Sequence, residues 1–334
     1  MNIARLLRLS PKKQSGNKQQ MRTPDVSHGP IDHNEHEHLS ALSSRALKIC
    51  LSIVVVIMIV EIIGGLLSNS LALVGDAGHM LVDALALGLS LLAINIARRP
   101  ATVTKTYGFH RAEIIAALVN GTTLILLSAF IFYKAYQRFK EPLEIHTPLM
   151  LTVAAIGLLA NFIGIILLRR GGRFSLNIRA AYWHIIGDTI SSLGVIAAAI
   201  VIMITGWTYA DPLIAIVIGC IILWGAVQVA KESVDILLEA VPKQITVDKV
   251  SKTLKEVAGV EEVHDIHIWT ITSGIYALSA HLVVKDLMVS QSTDIIENIN
   301  RALGEVFNIT HTTIQLECRS CPTNTICAIS PHEH

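Results

Sequence analysis

Apolar residues run through the first two-thirds of the chain in long, nearly unbroken stretches, and then give way to short alternating and amphipathic segments. A membrane-spanning helix needs about 20 mostly apolar residues at a rise of about 1.5 Å each. That ruler predicts six spans: Ala46–Leu67, Leu71–Ala97, Ile114–Phe139, Pro148–Leu168, Ile178–Thr205 and Pro212–Leu238. The breaks between them carry turn and breaker residues, among them Ser68-Asn69-Ser70, Arg99-Pro100, Glu141-Pro142, Gly171-Gly172 and Gly206-Trp207. The first, fourth and sixth stretches are almost all Ile, Leu and Val; the second, third and fifth carry more polar residues.

Beyond Leu238 the period changes. Val241-Pro242 ends the last span. Val247–Val257 has a helical pattern, and Val263–Thr272 and Ile275–Val284 read as strands around a Ser273-Gly274 turn. Ser292–Phe307 is a second amphipathic helix and Thr312–Glu317 a last strand. This order is close to a ferredoxin-like half-sandwich, an α+β domain. The expected division is a tail over 1–44, a membrane domain over 45–240, an α+β domain over 241–317 and a Cys-containing tail over 318–334.

Composition agrees with lipid as the main solvent: of 334 residues, 52% are hydrophobic and only 16% charged, against about a quarter charged in a soluble domain. A net charge of +1 provides no field suited to nucleic acid. Orientation follows the positive residues of short loops. Arg98, Arg99, Lys105 and Arg111 lie in one loop, and Arg169, Arg170, Arg173 and Arg179 in another. Both loops, and with them both termini, are expected in the cytoplasm. No cleavable signal peptide is visible, since the first 40 residues are polar.

Ionisable groups inside spans are the informative ones, because each costs about 2.5–3.5 kcal/mol at the bilayer centre on insertion scales. The second span holds His79-Met-Leu-Val-Asp83 and the fifth holds His184-Ile-Ile-Gly-Asp188. His and Asp at i and i+4 share one helix face. Two such faces opposed supply two imidazoles and two carboxylates, a tetrahedral set for Zn²⁺. A helix-stabilising contact or a metal-free proton relay would use the same residue types. The duplication within lipid favours metal. Glu61, Asn95, Asn120, Asn161 and Gln228 are expected to hydrogen-bond between helices, and Asp76 to line the path out of the site.

Several quotable segments go further: Ser70-Leu-Ala-Leu-Val-Gly-Asp76-Ala-Gly-His79-Met-Leu-Val-Asp83, Tyr107-Gly-Phe-His-Arg111-Ala-Glu113, His184-x-x-x-Asp188, His264-Asp-Ile-His267-Ile-Trp269 and Thr313-Ile-Gln-Leu-Glu317. On these, over roughly residues 45–317, the chain resembles the cation diffusion facilitator family of metal/proton antiporters, in its zinc-transporting branch. The resemblance implies six membrane helices, a cytoplasmic metallochaperone-like domain, a homodimer with one transport site per protomer, and a transporter rather than an enzyme. It places transport ligands on His79, Asp83, His184 and Asp188, with Zn²⁺ as cargo and H⁺ as counter-ion. Relatives with Asp in place of the first His take a broader range of metals, so His79 favours zinc. A loop site found in some members looks absent here, where the loop reads Thr104-Lys-Thr-Tyr-Gly-Phe-His110.

The same resemblance makes His264, His281 and Glu317 candidates for a cytoplasmic metal site, with a purely structural role as the other reading. His267 and His311 lie near it without a clear part. Cys318 and Cys321 either complete that site or belong to an exposed tail. The N-terminal His28, His33, His36 and His38 read as a solvated tail or a loose metal tract. Arg111 and Asp235 are expected to pair at the ends of the third and sixth spans. The expected setting is a bacterial inner membrane, with lipid and a second copy as partners and no small organic substrate. A membrane-anchored zinc sensor is the competing function. It has no use for ligands deep in lipid. An intramembrane metalloprotease would need a His-Glu-x-x-His motif, which the spans lack.

Overall fold

A computed structural model describes residues 52–170 and 176–318. The N-terminal His cluster, Cys50, Cys321, Cys327 and Arg173 fall outside the described residues, as does the start of the first expected span.

Among the described residues, five helices are long and apolar enough to cross a membrane: α2 (Leu71–Ala97), α3 (Ala112–Lys140), α4 (Thr147–Arg170), α5 (Leu176–Thr205) and α6 (Ala210–Leu237). A shorter apolar helix precedes them, α1 (Ser52–Ser68). The described part of α1 is about 25 Å long at 1.5 Å per residue, just under the hydrocarbon thickness of about 30 Å. Many large apolar side chains point outward from these helices, Leu91 and Leu126 at 65% exposure among them. Such faces suit acyl chains rather than water.

The described chain forms two compact units. One joins the residues up to Ala84 with Thr123–Ala226; the other joins Leu85–Thr122 with the residues from Val227 onward. The first unit packs around Leu73, Ile131, Met150, Val195, Ala199 and Ile218, from five different helices. Small residues let these helices approach closely. A Cβ at Gly219 on α6, for example, would come within 2.7 Å of the Phe132 ring on α3.

Three helix ends meet in one knot in that unit. The Ser70 hydroxyl accepts from the Leu73 N–H at 3.2 Å, an N-cap within α2, and itself donates to Asp211 at 2.6 Å. The Asp211 carboxylate also accepts the N–H groups of Leu71 (2.8 Å) and Ala72 (3.1 Å) and a guanidinium N–H of Arg138 (3.0 Å). Arg138 donates in addition to the carbonyl of Asn69, a residue in the left-handed region. Asp211 is fully buried, and two of its bonds come from first-turn N–H groups of α2 that have no intrahelical partner.

In the second unit, α7 (Val247–Lys255), β1 (Val260–Thr272), β2 (Ile275–Val284), α8 (Val289–Phe307) and β3 (Ile309–Glu317) form an α/β layer pair. The sheet order is β1-β2-β3, with β1 antiparallel to β2 and β2 parallel to β3 across the α8 connection. Gly274 makes the two-residue hairpin turn with a positive φ of 81°. Val263, Ile266, Ile268, Leu278, Ala280 and Leu282 pack with Val250, Leu254, Ile299 and Leu303 of the two helices. The elements match the sequence reading, with β1 starting three residues earlier, and α8 and β3 three residues earlier than expected.

Candidate metal centres

The four intramembrane residues expected to act together do meet. On α2, His79 Nε2 stands 3.6 Å from Asp83 Oδ2; on α5, His184 Nε2 stands 3.6 Å from Asp188 Oδ2. Across the helix pair, His184 Nδ1 is 3.8 Å from Asp83 Oδ2, and the two imidazole centroids are 6.1 Å apart. None of these separations is a hydrogen bond. The donors surround a gap instead of pairing with one another.

One donor atom each from His79, His184 and Asp188 lie within 4.8 Å of one another, with Asp83 against both imidazoles at the side. A zinc ion with bonds of about 2.0–2.2 Å holds neighbouring donors roughly 3.3–3.5 Å apart, so a small inward adjustment of side chains suffices. Two buried atoms of the group, His79 Nδ1 and Asp188 Oδ2, have no hydrogen-bond partner among the described residues. Asp188 is 3% exposed, and a buried carboxylate oxygen without a donor is unfavourable unless a cation or proton meets it.

The helix pair is tied one turn away. Asp76 on α2 accepts from Ser191 Oγ on α5 at 2.6 Å, and Asn161 on α4 donates to Ser192 at 3.5 Å. Asn161 thus bonds between helices as expected. Sequence reasoning missed Ser191 and the Arg138–Asp211 knot. Ser191 leaves no signal, because a hydroxyl in a span is common. Asp211 had one, as a fully ionisable residue at the first turn of an apolar helix.

The second cluster lies on the sheet face turned away from α7 and α8. His264 and His281 are direct cross-strand partners, with ring centroids 5.4 Å apart. Glu317, at the end of β3, reaches both: Oε2 is 3.2 Å from His264 Nε2 and Oε1 is 3.0 Å from His281 Nδ1. The ladder shifts register between His264 and His267, where Asp265 takes a positive φ of 50°. This β-bulge re-aims the side chains beside it. It sets Asp265 3.1 Å from His267 Nε2 and 3.6 Å from His281 Nε2. His264 is buried, and neither ring nitrogen has a hydrogen bond among the described residues.

Other expected residues fall elsewhere. Cys318 is exposed and stands outside the group of His264, His281 and Glu317. His311 packs edge-on against Tyr107 at 5.4 Å. The expected Arg111–Asp235 pair does not form: Arg111 donates to Glu239 at 2.7 Å. Glu239, just past the end of α6 with a positive φ of 60°, supplies the carboxylate in place of Asp235.

Comparison with known proteins agrees with this picture. The cation efflux transmembrane domain matches residues 47–238, and the cation efflux protein cytoplasmic domain matches residues 242–318. A cadmium, cobalt and zinc/H⁺-K⁺ antiporter of Bacillus velezensis is 43% identical over 290 residues, covering 86% of this chain and 92% of the relative. The metal cation efflux system protein CzcD of Cupriavidus metallidurans is 40% identical, covering 86% and 90%. The zinc transporter ZitB of Escherichia coli is 35% identical, covering 88% and 91%. With a helical membrane domain and a cytoplasmic domain built on a small sheet, the chain belongs to the cation efflux family, whose members are transporters and not enzymes.

Proposed function

We propose that this protein exports zinc from the cytoplasm in exchange for protons, by alternating access at His79, Asp83, His184 and Asp188. It acts as a homodimer with six spans per protomer. The membrane domain covers 45–240 and a ferredoxin-like domain covers 241–317. Both termini lie in the cytoplasm, and the membrane is a bacterial inner membrane, as the bacterial relatives suggest. Cadmium and cobalt, named for relatives, are secondary cargo.

One observation carries the reading: buried donor atoms with no hydrogen-bond partner among the described residues, on two facing apolar helices. Metal binding needs neutral imidazole and ionised carboxylate, so zinc and protons compete for the same atoms. Open to the cytoplasm, the site loads zinc. Open to the far side, protons displace it, and the protonated site returns. Intrinsic affinity ranks copper above zinc, so selectivity rests on the tetrahedral donor set and on metal supply. Zinc at His264, His281 and Glu317 serves regulation, favouring one arrangement of the paired cytoplasmic domains.

The test is zinc flux into proteoliposomes under an imposed pH gradient, for wild type, Asp83→Ala and Asp188→Ala. Gradient-driven flux in wild type, lost in both variants with the dimer intact, is the expected outcome. Undiminished flux in the variants removes these residues from the transport site. Absence of flux from wild type, with zinc still bound by the cytoplasmic cluster, would replace the transporter with a membrane-anchored sensor.

A further inference from the structure

Two intramembrane carboxylates have no part in the zinc site: Glu61 on α1 and Asp76 on α2, each 2% exposed. Asp76 is held by Ser191. Glu61, expected to hydrogen-bond between helices, has no such bond to its Oε2 among the described residues. Its Oε1 occupies a notch on α4 that exists only because residue 157 is glycine; a Cβ there would overlap the carboxylate. The space is made for an acid, and the acid is left one partner short.

From α4 Glu61 meets Gly157, and Asn161 one turn on is engaged with Ser192. Four carboxylates, Glu61, Asp76, Asp83 and Asp188, thus belong to one helical unit. A divalent ion at the zinc site balances two of them. The remainder stay unbalanced in an apolar interior, which is strongly unfavourable for ionised groups.

We propose that Glu61 holds a monovalent cation separate from the zinc ligands, and that this cation is exchanged during the transport cycle. The site rests on the antiport reading above and assigns part of the counter-charge to a definite place. A proton and an alkali ion are alike in charge here. As zinc leaves outward with two positive charges, monovalent cations enter inward, and Glu61 carries one of them.

The experiment uses the full-length dimer in proteoliposomes, as wild type, Glu61→Gln and Glu61→Asp. Zinc binding is measured by equilibrium dialysis, and zinc-driven counter-flux by entrapped indicators. One arm varies pH at fixed potassium; the other varies potassium at clamped pH. In Glu61→Gln, zinc binding is expected to stay within about threefold while counter-flux falls at least about tenfold, and Glu61→Asp is expected to restore most of it. The arm in which a gradient accelerates wild-type zinc flux but not that of Glu61→Gln identifies the cation. Counter-flux in Glu61→Gln equal to wild type overturns the proposal. So does loss of zinc binding by Glu61→Gln together with Glu61→Asp, which would make Glu61 part of the zinc site or of the fold. Absence of zinc flux from wild type strikes instead at the transport reading itself.

Discussion

Asp83 and Asp188 offer the same carboxylate in different settings, the first about a quarter exposed and the second 3% exposed with an unpartnered oxygen. Asp188→Asn keeps the shape and removes the charge that a cation needs. It is expected to lower zinc affinity of the intramembrane site by at least about 100-fold, more than the 10–100-fold typical of changes one shell out; dialysis against buffered zinc checks it. The two imidazoles bind metal only when neutral, so protons compete with zinc at two positions. Zinc affinity is therefore expected to fall as pH is lowered, at its steepest by about 100-fold per pH unit, because two protons compete with one ion. A loss on raising pH towards 8 would contradict the ligand set.

Elements differ in how far the sequence revealed them. The helices were legible because apolar stretches of 20 or more residues bounded by Gly, Pro and Arg have few other readings. The His79/Asp83 and His184/Asp188 pairs were legible because a repeated i, i+4 pattern in lipid is conspicuous. Sheet register was not, and the Asp265 bulge less so, since a one-residue insertion leaves no trace in an alternating pattern. The partner of Arg111 was misread for a related reason: the left-handed turn at Glu239 lies where a helix ends, and ends are set by local geometry. Glu61 was read as an ordinary interhelical bond, because its isolation shows only once Gly157 is seen opposite. At this scale the Asp211 knot has the clearest energetic consequence. Asp211→Ala strips the cap from α2 and leaves Arg138, 17% exposed, without its anion. Breaking such a buried pair destabilises by about 3–5 kcal/mol. A lowered melting temperature in detergent is the expected readout. The charge-swapped pair Asp211→Arg with Arg138→Asp is expected not to rescue it, because arginine cannot accept the N–H groups of Leu71 and Ala72.

At the scale of the whole molecule, two clusters of metal-binding type stand in two separate units among the described residues. If the first moves zinc and the second regulates, substitutions should separate rate from response. His281→Ala removes the residue that touches both Glu317 and Asp265. In reconstituted protein it is expected to lower zinc bound per protomer and to weaken activation by cytoplasmic zinc several-fold. At saturating zinc, transport should continue. Abolished flux at all zinc concentrations would show that the cytoplasmic cluster is required for the transport step.

The cap on α2 also has a bearing on how the chain is made. The N–H groups of Leu71 and Ala72 wait for a carboxylate that lies about 140 residues later in the chain. At ordinary synthesis rates that interval is on the order of ten seconds. During it the helix that carries His79 and Asp83 has left the ribosome without its final start point. When α6 arrives, Asp211 enters the membrane as an unpaired acid and finds Arg138 and the waiting donors. The last span thus completes the second, and a chain interrupted after α5 has an unfinished helix where His79 and Asp83 stand.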